Sequence, residues 1–140
     1  RTMTEKEART MTSRFPDQER RCLTHLVVEN ECSTKAASSI IKGDRNSFGR
    51  VLFMLQRSVV ENAELTSPEL DWIWRRGQEC DGVLGMCLIG IGIAGSFLVV
   101  VDGRAFNLYA RKEEEYERIF GFRSVLRPFV PLGSPFEERQ

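Results

Sequence analysis

Residues able to do chemistry are few in this sequence. One histidine, His25, stands three positions after Cys22, and the other cysteines are Cys32, Cys80 and Cys87. Zinc wants four ligands, and Cys22, His25 and Cys32 have no fourth at a usual spacing, so no metal site is expected. The cysteines form no C-x-x-C pair, which reads as reduced thiols of an intracellular protein. A single histidine leaves any Ser-His-Asp or Cys-His arrangement to chance. Gly90-Ile-Gly-Ile-Ala-Gly95 spells G-x-G-x-x-G. A dinucleotide site, however, needs a strand before that motif, a helix after it and a parallel sheet around it. No βαβ alternation surrounds the motif, so it reads as accidental. There are no paired carboxylates in an apolar setting and no credible phosphate loop. The residues therefore point away from an enzyme and imply no cofactor.

The elements that would position these groups must come from 140 residues, enough for one domain with a sizeable core. Lys plus Arg number 20 and Asp plus Glu number 20, a formal net charge of zero. That balance argues against nucleic acid or an acidic membrane surface as the main partner, since both recruit basic patches. Apolar residues at 41% and charged residues at 29% are ordinary for a globular chain. One stretch departs from this: Gly82 to Val101 carries no charge over twenty residues, the length of a bilayer-spanning helix. As a span it would have Trp72 and Trp74 as belt residues and Arg75 and Arg76 as flanking positives. As a helix apolar all round it would lie inside other helices, with its glycines admitting close neighbours. A β-hairpin across Asp102-Gly103 is a local alternative. The buried helix is preferred, because amphipathic segments on both sides need a surface to cover. Arg1 to Glu7 has no apolar signal core and Gly133 to Gln140 no tail anchor, so an intracellular location is expected.

Along the chain, residues 1–14 form a polar N-terminal arm or helix, and 15–137 a single domain. Asp17 is a candidate cap before the stripe Cys22, Leu23, Leu26, Val27 and Val28. Ser33-Thr34 opens a further segment that ends at Gly43-Asp44. Phe48, Val51, Leu52, Leu55, Val59 and Val60 recur at helical steps. Ser67-Pro68-Glu69 starts another helix, running to about Cys80. Arg104 to Phe120 reads as a helix closed by Gly121. The expected fold class is all-α.

A helical bundle around one apolar, glycine-containing helix (about residues 83–100) resembles the Bcl-2 family of apoptosis regulators. Ile40-Ile41-Lys42-Gly43-Asp44 resembles the Gly-Asp core of that family's BH3 motif. Asp81-Gly82-Val83-Leu84-Gly85-Met86 is similar to its BH1 segment. Leu126-Arg127-Pro128-Phe129-Val130, then Gly133-Ser134-Pro135-Phe136, is similar to BH2. Met86 stands where the family has an arginine, and Phe129 and Phe136 where it has tryptophans, a drift that fits a virus-encoded homologue.

The resemblance implies a pro-survival protein without catalysis, capturing the BH3 helices of pro-apoptotic relatives of the Bim, Bak or Bax type by helix-in-groove recognition. The implied groove would be lined by Phe48, Val51, Leu52, Leu55, Ile73 and Trp74, with Gly85, Met86, Ile89 and Ile93 from the central helix. Arg50, Arg75 or Arg76 would meet the ligand's aspartate. The cytoplasm or the mitochondrial surface would be its location. Two alternatives stay open. One is a pro-apoptotic or self-associating relative, a homodimer included, acting through its own Ile40, Ile41, Gly43 and Asp44. The other is a membrane-inserted protein using 82–101 as its span.

Overall fold

A computed structural model of the chain describes residues 3–11, 14–90, 95–103 and 105–128. A short helix α1 (Glu5–Met11) begins at Thr4. The Thr4 hydroxyl accepts from the Glu7 N–H at 3.3 Å, while the Glu7 carboxylate accepts from the Thr4 N–H at 2.9 Å. This is a reciprocal capping box.

Helix α2 (Asp17–Ile41) runs 25 residues without a break. Ser33 and Thr34 do not open a new helix, because their hydroxyls bond back to the carbonyls of Glu29 and Asn30 one turn earlier. The helix ends where the Gly43 N–H bonds to Ile40 O and the Asp44 N–H to Ser39 O, with Gly43 left-handed at φ +66°. These two bonds close a Schellman turn. Asp44 then caps helix α3 (Arg45–Ser58), accepting from the Ser47 N–H at 2.9 Å. Gly43-Asp44 is thus a junction between helices, not the middle of a BH3-like helix, and Ile40 and Ile41 stand exposed at the end of α2.

A single π-turn, Val59–Ala63, follows α3. Helix α4 (Pro68–Glu79) starts as the sequence indicates, with Ser67 accepting from the Leu70 N–H and Pro68 in the first turn. Helices α5 (Ala105–Ala110) and α6 (Lys112–Phe120) come last, and Gly121 closes α6 at φ +77°. The expected Arg104–Phe120 helix is therefore divided at Arg111.

The fold departs from the all-α expectation at the uncharged run. The described residues of the expected 83–100 helix form two strands instead. Strand β1 (Val83–Ile89) pairs antiparallel with β2 (Ser96–Val101), Met86 opposite Val99 and Leu88 opposite Phe97. A bulge lies between Val83 and Gly85. The physical reason is local. Glycines at 85, 90, 92 and 95 each weaken a helix by about 1 kcal/mol, and Val99-Val100-Val101 is β-branched throughout. Gly82 and Gly90 both sit at φ +88°, which ends each side of β1 in a conformation that suits glycine. The hairpin is joined through Gly90–Gly95, not Asp102-Gly103, which instead leads into α5. Among the described residues no helix is long and apolar enough to cross a membrane.

Helix α3 packs against both α2 and β1, and α4 against β1. Val28, Cys32 and Val51 form the α2–α3 core, with Ala36 and Leu55 against it. Helices therefore support a two-stranded sheet that would be marginal alone.

Candidate functional site

The hairpin is the element that other parts of the chain are shaped around. A Cβ added at Gly85 would lie 2.0 Å from the carbonyl oxygen of Gly49, and one at Gly49 would lie 2.1 Å from Leu84 O. Helix α3 and strand β1 thus touch backbone to backbone. On the α4 side, a Cβ at Gly77 would meet Met86 Sδ at 2.1 Å, so that glycine makes room for the fully buried Met86 side chain. Between these contacts, the buried Gln56 side chain accepts from the Leu88 N–H at 2.7 Å.

Beside β2 lies a cleft of about 630 Å³. Phe97 and Val99 form its sheet wall, Leu70, Trp72 and Ile73 its α4 wall, and Tyr109 and Tyr116 its far side. Lys112, Glu113 and Arg123 also line it, and Glu113 accepts from the Leu126 N–H at 2.5 Å, holding the segment after α6 in place. Trp72, Tyr116, Phe120 and Phe122 form an aromatic cluster with ring centroids 4.8–6.3 Å apart. Burial pushes the Tyr109 hydroxyl up to about 12, with Cys80 adding to it, so the phenol stays neutral. A second recess of about 390 Å³ lies between α2 and α3, lined by Lys35, Ser38, Ser47, Arg50 and Met54.

The residues singled out from the sequence scatter across these features. Val51 and Leu52 are buried, Val51 in the α2–α3 core, while Phe48 and Leu55 are half-buried. Ile73 lines the cleft beside β2, and Trp74 turns edge-on to Phe53 at 5.5 Å. Gly85 and Met86 are packed as described, Ile89 is exposed at the end of β1, and Ile93 lies outside the described residues. Arg50 donates to the Ser47 hydroxyl at 2.6 Å. Arg75 is exposed. Arg76 lies over the Trp72 ring, 5.5 Å from its centroid, and joins α4 to α6 through Glu115 at 3.2 Å. The BH2-like segment beyond Pro128 also lies outside the described residues.

Sequence reading missed Gly49, Gly77 and Gln56. Their signal is present in hindsight: an isolated glycine inside a helical pattern, and one polar residue on the stripe of Leu52, Leu55 and Val59. It also left His25 without a partner. His25 Nδ1 lies 3.1 Å from the Ser58 hydroxyl, which accepts from Asn62 at 2.9 Å. Ser58 is buried, so this set ties α2 to the π-turn and offers no open nucleophile. Burial pushes the Cys87 thiol up to about 12, with Cys32 and Glu29 adding to it. That thiol is inert at neutral pH.

Comparison with known proteins overturns the functional expectation. No protein-family model matches the chain. It is 30% identical over 120 residues to the galactokinase of Thermococcus kodakarensis, covering 83% of this chain and 34% of that one. It is 38% identical over 105 residues to the galactokinase of Enterococcus faecalis, covering 74% and 27%. A putative galactokinase of Treponema pallidum is 31% identical over 115 residues, covering 79% and 29%. Among solved structures, Lactococcus lactis galactokinase complexed with galactose matches with a TM-score of 0.77 at 24% identity, covering 86% of this chain and 32% of that one.

The Bcl-2 resemblance is therefore incorrect. Its quoted motifs are short dipeptide-centred strings, one a helix junction and one a strand entry, while the galactokinase likeness runs through most of the chain. With it fall the apoptotic role, the viral reading, the BH3 partners, and the expectation that no enzyme is involved. The relatives are kinases. This chain spans about a third of their length, and its fold is that of the matching third of a galactokinase.

Proposed function

We propose that this chain forms part of a galactokinase-type sugar kinase, a protein that transfers a phosphoryl group from ATP to galactose. The observation that carries this reading is the extent of the likeness: 86% of the chain follows a galactokinase solved with galactose bound. Phosphoryl transfer rests on positioning and electrostatic stabilisation, so a segment can matter by shape as much as by side-chain reactivity. The sequence joining β1 to β2 carries Gly90, Gly92 and Gly95. Residues without a Cβ let backbone amides approach a phosphate closely.

The test is a chimera in which residues 17–128 replace the matching third of the Lactococcus lactis enzyme. A folded chimera that phosphorylates galactose supports the reading. A chimera that melts cooperatively, yet neither binds galactose by calorimetry nor turns it over, overturns it.

A further inference from the structure

We propose that Gln56 is a positioning residue for phosphoryl transfer, fixing the angle at which β1 delivers Gly90, the first residue of its connection to β2. The inference rests on the kinase reading above, which brings that glycine-rich connection to a phosphate, and adds the side chain that aims it.

Two points fix β1 on α3. Near the start of the strand, the Gly85 backbone lies against the Gly49 backbone, with no side chain between them. Near its end, the Gln56 side chain, also on α3, accepts from the Leu88 N–H at 2.7 Å. Gly49 and Gln56 stand two turns apart, about 10 Å along a helix. Gly85 and Leu88 stand about 10 Å apart along a strand. Helix and strand therefore run side by side in step and meet at both places, which seals the edge of β1 away from β2. One contact alone would be a pivot, whereas two define a direction.

Past Leu88 the strand runs into the open: Ile89 is exposed, and a Cβ at Gly90 would meet nothing within 4 Å. Without the glutamine, β1 can swing about the Gly85 contact. Leu88 lies about 10 Å from that contact and Gly90 about 17 Å, so a drift of about 1 Å at Leu88 becomes about 1.7 Å at Gly90. A misplacement of about 1 Å can slow a reaction about a hundredfold. Met86 does not prevent the swing, because it adjoins the pivot and meets Gly77 through a flexible thioether. The residue type agrees with this role. Gln56 is 2% exposed on the apolar stripe of Leu52, Leu55 and Val59, where an amide is costly unless it is hydrogen-bonded. A leucine would cover the helix face as well and leave the end of β1 unheld.

The test is steady-state galactose phosphorylation by the chimera described above, assayed well below the melting temperature of every variant. Gln56→Met keeps the side chain's length and removes its acceptor. Its kcat should fall by about tenfold or more while KM for galactose stays within about twofold, the signature of an interaction realised in the transition state. Gln56→Asn, one methylene too short, should fall with it and gives the same reading if Gln56→Met does not fold. Gln56→Glu keeps an oxygen at the same reach and should recover kcat to within about threefold of the parent, although its buried carboxylate lowers melting. Val28→Ala, in the α2–α3 core, should melt early as well and leave kcat intact. Three results would overturn the proposal: both acceptor-removing and shortened variants at the parent's kcat, an equal loss in Val28→Ala, or no recovery in Gln56→Glu. A folded but inactive parent chimera defeats the kinase reading and this proposal with it. An active parent whose Gln56→Met and Gln56→Asn variants keep their kcat defeats this proposal alone.

Discussion

Gly85→Ala offers the sharpest test of how the hairpin is held. The added methyl would sit 2.0 Å from Gly49 O, 2.3 Å from Gly49 Cα and 2.4 Å from its carbonyl carbon, all of them backbone atoms that no rotamer change can clear. Reaching an ordinary carbon–oxygen contact requires α3 and β1 to part by about 1.3 Å. Overpacking of this kind costs about 1–3 kcal/mol. The same displacement stretches the Gln56–Leu88 bond, and a buried N–H left without its acceptor costs about 1–3 kcal/mol more. A loss of about 3 kcal/mol corresponds to a Tm lower by about 10 °C for a domain of this size. Thermal melts by circular dichroism read this directly, with Gly103→Ala as the control, because a Cβ there meets nothing within 4 Å. Gly49→Ala should cost as much, and the double variant clearly less than the sum, since one opening serves both methyls. If Gly85→Ala melts within about 2 °C of the parent, the backbone contact between α3 and β1 is not what positions the strand.

Gln56→Leu should destabilise by about 1–3 kcal/mol in urea unfolding, because it strands the Leu88 N–H, and should speed exchange of that amide. Gly77→Ala should be partly rescued by Met86→Val, since the obstacle is a side-chain sulfur, and a double-mutant cycle measures the recovery. Alkylation at neutral pH followed by mass spectrometry should label exposed Cys22 first and leave buried Cys32 and Cys87 unmodified until the chain unfolds. Asp44 is held below its ordinary 3.8 by hydrogen bonds from Ser47, with Arg50 assisting. A carboxyl depressed on folding stabilises above its unfolded pKa and loses that contribution as pH falls through the folded value. Asp44→Ala should therefore melt earlier than the parent at neutral pH, the gap closing on acidification below the carboxylate range.

Elements that depend on nearby residues were legible in the sequence. Ser67-Pro68 marks the start of α4, and the stripe from Phe48 to Val59 marks α3, because capping and helical period are local signals. The uncharged run was not, for a physical reason. Strands apolar on both faces have no two-residue alternation to read, and a buried helix would look the same by charge. What separated them was the glycine spacing and the β-branched valines, whose individual preferences are small. Gly85 and Met86 stood out by sequence, and the structure places both in tight packing, against Gly49 and beside Gly77. The partners of that packing lie far away in sequence, so only the fold could reveal them. Gln56 shows the same limit: a polar residue on an apolar stripe signals an obligation, but not which amide meets it.

The Gln56 seal also bears on how this chain would polymerise. A fibre needs two complementary surfaces on each unit so that addition can repeat, whereas a unit with one usable surface stops growth after a single addition. By occupying one flank of β1 with its own glutamine, the chain keeps a sheet from extending in both directions. Gln56→Ala alone should not undo this, because the α3 backbone at Gly49 still lies against Leu84 and Gly85 and keeps that flank closed to a second chain.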